Sequence, residues 1–339
     1  MKKLLWMFVS ALAAALAAAA AQPAGRAPAT TRMPEGVTAY RDLPYVENGH
    51  ARQVLDLFVP DKAEKALPVI VWIHGGAWMG GDKGGCPPLR QGFAEQGYAV
   101  ASLNYRLSQH AVYPAQIEDC KAAIRWLRAH ARDYRLDPAR FGVWGSSAGG
   151  HLVALLGVTG DVKTFDVGRH LEFSSAVQCV VDDYGPTDFS QFDAHRLAGQ
   201  RSALAVAGSP ESLLIGGSVL LPENKEKVAR ANPIAFVTAG DAPFLINHGD
   251  ADATVPHHQS ELLFEALKKA GVPVRFNTVK GGGHGAGFGG PELEKMRRDF
   301  LAYHLQGAKN DAAQWPAAMR SSTDAIAPSP RAPRGPDAR

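Results

Sequence analysis

The sequence predicts an α/β protein: a mostly parallel, twisted sheet of about eight strands flanked by helices, with a small cap inserted late in the chain. Three observations predict it. Short apolar runs alternate with helix-like stretches, the pattern of strands joined by crossover helices. Two of the runs, Pro68-Val69-Ile70-Val71-Trp72-Ile73 and Tyr98-Ala99-Val100-Ala101-Ser102-Leu103, are nearly continuous, as in strands buried on both faces. A third, Phe141-Gly142-Val143-Trp144, ends in Gly145-Ser146-Ser147-Ala148-Gly149, and the apolar Leu152-Val153-Ala154-Leu155-Leu156 follows as a helix. That is a strand, a tight turn and a helix, with the serine at the turn.

At the N-terminus, Lys2 and Lys3 precede an apolar stretch from Leu4 to Ala21 that ends in Ala19-Ala20-Ala21. This reads as a signal peptide over residues 1–21 with cleavage near Gln22, and it implies a secreted or periplasmic protein. A retained anchor is the competing reading, but the stretch is Ala-rich and no charged stop-transfer flank follows. No stable membrane span is expected after cleavage. Residues 22–34 read as an Ala/Pro/Thr linker, and 307–339, dominated by Ala, Pro, Ser, Arg and Asp, as a disordered tail. The rest, residues 35–306, is long enough for one large α/β domain. Formal charge is +3, and removing Lys2 and Lys3 leaves +1. That balance gives no reason to expect a nucleic-acid partner.

Along the domain, Val37–Leu43 and Gln53–Pro60 read as two early strands, with Asn48-Gly49 as a hairpin-type turn signal between them. Tyr113–Ala131 reads as a helix opened by Pro114, with Ile117, Cys120, Ile124 and Leu127 on one stripe. Ala176–Asp182, Pro243–Asn247 and Val274–Val279 are further strands, and helices are expected near 257–270 and 290–305. The stretch of about 186–241 interrupts the rhythm with a helix-like segment near 196–207. We read it as the cap.

The serine turn sets the chemistry. A hydroxyl held on a strained turn projects clear of the backbone, and Ser147 is therefore the candidate nucleophile. Such a serine needs a base, a group that orients the base, and donors for a developing oxyanion. His284, in Gly281-Gly282-Gly283-His284-Gly285 after the last strand, is the candidate base. The chain has 12 histidines, and position after the final strand singles this one out. The acid comes from His248-Gly249-Asp250-Ala251-Asp252, where Asp250 and Asp252 both qualify and either also suits a turn or a helix cap. The segment His74-Gly75-Gly76-Ala77-Trp78 follows a buried strand, so the N–H groups of Gly76 and Ala77, with that of Ala148, form the candidate oxyanion hole. Trp78 is expected to touch substrate.

The arrangement resembles the α/β-hydrolase superfamily, and within it bacterial secreted carboxylesterases with a His-Gly-Gly oxyanion motif of the feruloyl or acetyl esterase kind, related to hormone-sensitive-lipase-type esterases. The matching stretches are His74–Trp78, Asn104-Tyr105-Arg106, Asp137–Gly150, Tyr184-Gly185-Pro186-Thr187-Asp188, His248–Pro256 and Gly281–Gly285. The resemblance implies Ser147 as nucleophile, Asp252 as acid and His284 as base. It also implies two-step acyl transfer without metal or cofactor, and a small-molecule ester or esterified carbohydrate as partner. One departure is Ala77, where many relatives carry a third glycine. Two other readings compete: a prolyl-oligopeptidase-like serine peptidase, for which the chain has no room for a propeller, and a non-catalytic binding protein on the same fold.

His257-His258 suggests a metal pair, but adjacent helix residues point apart, so no metal site is expected. Of the three cysteines, Cys179 reads as a core residue. Cys86, in a loop after the oxyanion segment, and Cys120, on the next helix, are the candidate disulfide pair.

Overall fold

The computed structural model describes residues 33–197 and 208–308. The expected signal peptide, the linker up to residue 32, most of the helix-like stretch near 196–207 and the tail beyond 308 lie outside the described residues. The strands are β1 (Val37–Pro44), β2 (Val54–Pro60), β3 (Leu67–Ile73), β4 (Ala99–Leu103), β5 (Leu136–Ser146), β6 (Cys179–Asp183), β7 (Phe244–Gly249) and β8 (Val274–Val279). The α-helices are α1 (Pro87–Arg90), α2 (Ala115–Ala129), α3 (Ala148–Val158), α4 (Pro210–Ile215), α5 (Lys225–Ala231), α6 (His258–Ala270) and α7 (Pro291–Leu301).

The strands form one sheet in the order β1-β2-β4-β3-β5-β6-β7-β8. The pairs β1·β2 and β2·β4 are antiparallel and all later pairs are parallel. This is the α/β-hydrolase architecture. The continuous apolar runs have the expected cause: every residue of β3 and β4 is buried. Each fully buried Val, Leu or Ile side chain there contributes about 1.5–3 kcal/mol.

Alternation along the strands divides the core into two. Val69, Val71 and Ile73 pack with Ile117, Ile124 and Leu127 of α2, Leu152 and Leu155 of α3 and Leu263 of α6 on one face. Ile70, Trp72 and Trp144 pack with Leu89 of α1, with Phe300 of α7 and with Phe93 of the turn after α1 on the other. The Asn48-Gly49 turn is wider than a tight hairpin. Tyr45 N bonds Gln53 O, and Asn48 adopts φ 53° inside the loop between them.

Among the described residues, the interruption between β6 and β7 holds short 3-10 turns, α4 and α5, and forms the inserted cap. Parallel strands β3, β5, β7 and β8 all end at one edge of the sheet. The loops after them carry Gly76, Ser147, Asp252 and His284, as the crossover geometry of such sheets requires.

Candidate active site

Ser147 joins β5 to α3 with φ 56° and ψ −122°. That conformation costs a non-glycine residue about 1–3 kcal/mol and persists only where its surroundings impose it. Here Ser147 N donates to Asp183 O at 2.9 Å, and His151 N donates to Ser147 O at 3.0 Å. The start of α3 lies hard against β3: a Cβ on Gly149 would stand 2.1 Å from Ile73 O. Glycine is required there by close approach.

His284 lies between the serine and an aspartate. Its Nε2 is 2.9 Å from Ser147 Oγ, and its Nδ1 is 2.8 Å from Asp252 Oδ2. A carboxylate only accepts, so Nδ1 carries the proton and Nε2 is left to accept from the hydroxyl. Of the two competing carboxylates, Asp252 is the one at the imidazole. Asp250 turns away, accepting from Gly281 N at 2.6 Å and pairing with Lys280 at 3.4 Å.

Asp252 is nearly fully buried, and its Oδ1 accepts from Thr254 N and Val255 N at 2.7 and 2.9 Å. Burial by itself would raise its carboxyl. The hydrogen bonds from His248, His284 and Thr254 outweigh burial and hold it well below the usual carboxylate range.

Two neighbours of this cluster were not singled out by the sequence. His248 is fully buried; its Nε2 is 3.0 Å from Val255 O and 3.4 Å from Asp252 Oδ2, and its Nδ1 is 2.7 Å from Ser260 Oγ. It braces the acid loop from behind. Tyr184 adopts φ 48° and sets its ring edge-to-face against His284 at 4.8 Å. Both lie in stretches already quoted for the resemblance. The sequence signal was therefore present, but nothing in it assigned them a task.

The oxyanion segment follows β3. Gly76, Ala77 and Trp78 have φ of 114°, 55° and 54° in succession, and Met79 N and Gly80 N both bond Gly76 O. The turn thus uses a carbonyl, and among the backbone hydrogen bonds of the described residues neither Gly76 N nor Ala77 N is a donor. Ala148 opens α3, so its N–H has no intrahelical carbonyl to bond. The loop lies directly over the serine: a Cβ on Gly75 would stand 3.2 Å from Ser147 Cβ. The N–H groups of Gly76, Ala77 and Ala148 remain the candidate donors to a tetrahedral oxyanion.

Trp78 corrects an expectation. Its side chain is 2% exposed, packed against His151 and Phe189 at ring distances of 5.2 and 5.6 Å. The left-handed turn at Ala77 and Trp78 sends the indole inward, and the exposed neighbour is Met79. Trp78 is floor beneath the loop rather than a surface that substrate meets.

The disulfide expectation is also overturned, because Cys86, Cys120 and Cys179 are all free thiols. Cys86 belongs to the core on the α1 and α7 face, and Cys120 to the core on the α2 and α3 face, so the sheet stands between them. Burial pushes the Cys86 thiol up to about 12.

His257 and His258 do not point apart. His257 caps α6 rather than lying inside it, and both Nδ1 atoms reach Glu261, at 3.1 and 2.8 Å. Among the described residues, no group of three or more His, Cys, Asp or Glu side chains is arranged to hold a metal ion.

The BD-FAE family model matches residues 55–267, well over half of the chain.

The chain belongs to the BD-FAE family.

This BD-FAE member is similar to the probable carboxylic ester hydrolase LipM of Mycobacterium tuberculosis, 33% identical over 233 residues that cover 67% of this chain and 51% of LipM. It is similar to esterase LipC of the same organism, 30% identical over 268 residues, covering 76% of this chain and 64% of LipC. The chain thus spans between about half and two thirds of the length of these relatives. Among solved structures it is similar to a truncated carbohydrate esterase from gut microbiota, with TM-score 0.73 and 33% identity, covering 83% of this chain and all of that one. It is also similar to a bifunctional GH43-CE protein of Bacteroides eggerthii, with TM-score 0.70 and 35% identity, covering 79% of this chain and 35% of that one. Among the described residues, no helix is long and apolar enough to cross a membrane.

Proposed function

We propose that this BD-FAE member is a serine carboxylesterase that cleaves small acyl or aryl esters. One observation carries the reading: the His284 ring spans Ser147 Oγ and Asp252 Oδ2 with hydrogen-bond distances on both sides. Ser147 Oγ attacks the ester carbonyl as His284 Nε2 takes its proton. Asp252 holds the imidazolium that forms, and the N–H groups of Gly76, Ala77 and Ala148 receive the negative oxygen. His284 returns the proton to the alcohol as the C–O bond breaks. Water then repeats the sequence on the acyl-serine and frees the acid. General base catalysis contributes about 10²–10⁴-fold and each oxyanion donor about 10²–10³-fold.

Within that class we propose acetyl or feruloyl esters of plant polysaccharide as substrate. The support is the description of one similar structure as a carbohydrate esterase and of another as a bifunctional GH43-CE protein. Hydrolysis of p-nitrophenyl acetate and of methyl ferulate, with Ser147→Ala as control, tests both levels. Turnover of both esters, abolished in the control, supports the full reading. Acetate turnover alone keeps the mechanism and removes the feruloyl substrate. An equally active Ser147→Ala protein overturns the mechanism.

A further inference from the structure

Arg52 lies in the loop before β2, remote in sequence from every residue of the site. Its half-buried guanidinium reaches the oxyanion loop all the same. Nε donates to Tyr105 O at 2.9 Å, and the same NH2 group reaches His74 Nε2 at 3.1 Å and Gly81 O at 3.0 Å. His74 begins the loop, and Gly81 lies where the loop returns. The two ends touch: a Cβ on Gly81 would stand 2.3 Å from Gly75 O and 2.4 Å from His74 Nδ1. One nitrogen of Arg52 therefore ties both ends of the segment whose middle holds Gly76 and Ala77.

Hydrogen-bond polarity fixes the state of His74. Its Nδ1 is 2.7 Å from Gly75 O, which only accepts, so Nδ1 carries a proton. Arginine only donates, so Nε2 must present a lone pair to Arg52. Both demands select one neutral tautomer, and a charged His74 would set an N–H against a guanidinium. Burial, with the Arg52 charge acting in the same direction, outweighs the Gly75 hydrogen bond and the Asp82 charge and brings the imidazole down to about 4. The ring is also stacked on Tyr105 at 4.5 Å and 16°, and the Tyr105 hydroxyl donates to His74 O at 3.0 Å. His74 thus has a single orientation, one proton arrangement and no room to turn.

We propose that Arg52 is a positioning residue for the oxyanion hole: by closing the His74–Gly81 loop, it keeps the N–H groups of Gly76 and Ala77 aimed at the site. This rests on the esterase reading above, because a hole matters only if an oxyanion forms. Arg52 touches neither Ser147 nor His284, so its removal leaves the serine–imidazole–carboxylate geometry in place and loosens only the donors. The loss falls on the transition state and not on substrate binding.

The test combines kinetics with a measurement that needs no turnover. In Arg52→Met, kcat on p-nitrophenyl acetate falls about 10- to 100-fold, up to the cost of a misplacement of about 1 Å and less than outright loss of a donor, while KM stays within about threefold. Affinity for a phenylboronic acid, which forms a tetrahedral adduct with the serine, falls by the same factor as kcat. Arg52→Lys recovers part of both. A kcat and a boronic acid affinity within about twofold of the parent overturn the proposal. Independently, long-range ¹H–¹⁵N spectra of the parent protein, with His74→Gln used to assign the resonance, show a neutral His74 protonated at Nδ1 at pH 7. A proton on Nε2, or a cationic ring, overturns the proposal even if Arg52→Met does not fold. If the parent cleaves no ester, the esterase reading fails by itself, and the His74 spectrum still decides whether the clamp exists.

Discussion

Gly75→Ala separates the geometry of the oxyanion loop from the rest of the catalytic apparatus. Its added Cβ would stand 2.7 Å from Ser146 O and 3.2 Å from Ser147 Cβ. Ordinary contact begins at 3.4 Å, so loop and elbow must separate by about 0.7 Å. The elbow cannot give way, because α3 is itself pressed against β3 at Gly149. The oxyanion loop therefore lifts. A misplacement of about 1 Å costs about 10²-fold in rate, so kcat is expected to fall about 10- to 100-fold. Overpacking of this kind costs about 1–3 kcal/mol of stability, or roughly 3–10 °C in Tm for a domain of this size. The assay is kcat on p-nitrophenyl acetate beside a thermal melt. Gly289→Ala serves as the control, since a Cβ there meets open space. A Gly75→Ala protein with kcat within about twofold of the parent would refute the argument that this glycine exists to let the loop approach the serine.

Three further outcomes follow from the same geometry. Asp252→Asn leaves His284 in the wrong tautomer and should cost about 10⁴ in kcat, whereas Asp250→Asn should cost less than about tenfold; the reverse ranking would undo the assignment of the acid. Asp182 is fully buried, and burial raises its carboxyl to about 7 from an ordinary 3.8. Between those values the unfolded chain has released a proton that the folded chain keeps. Stability from this group is therefore complete below pH 4 and is lost as pH rises to about 7, by up to about 4 kcal/mol. Urea melts across that range should show the slope in the parent and a flatter one in Asp182→Asn; identical slopes would contradict the burial argument. Finally, the unfolded chain without reductant should titrate all three of its thiols, and a shortfall of two would restore a disulfide.

The sheet was legible because its signals are local. Continuous apolar runs become β3 and β4 within a residue of where they were read, since a strand buried on both faces has no polar positions to blur it. The serine turn was legible for a related reason: the small residues around Ser147 are demanded by close backbone contacts, and such contacts leave glycine in the sequence. His284 was marked by its place after the last strand and by the glycines around it.

What the sequence left open was direction. Asp250 and Asp252 stand two residues apart after the same strand, and local pattern did not separate them; the resemblance favoured Asp252, and the packing of the β8 loop turns Asp250 to Gly281 and Asp252 to His284. Trp78 follows the oxyanion glycines whether its indole faces out or in, and two consecutive left-handed residues decide that it faces in. Cys86 and Cys120 are near in sequence but lie on opposite faces of the sheet, which residue spacing does not record. Arg52 carries no local signal, because its work is done 22 residues away on His74. Local backbone chemistry is written in neighbouring residues and can be read there. Contacts between distant segments exist only once the sheet has brought them together, and those contacts decide which carboxylate, which ring and which guanidinium serve the site.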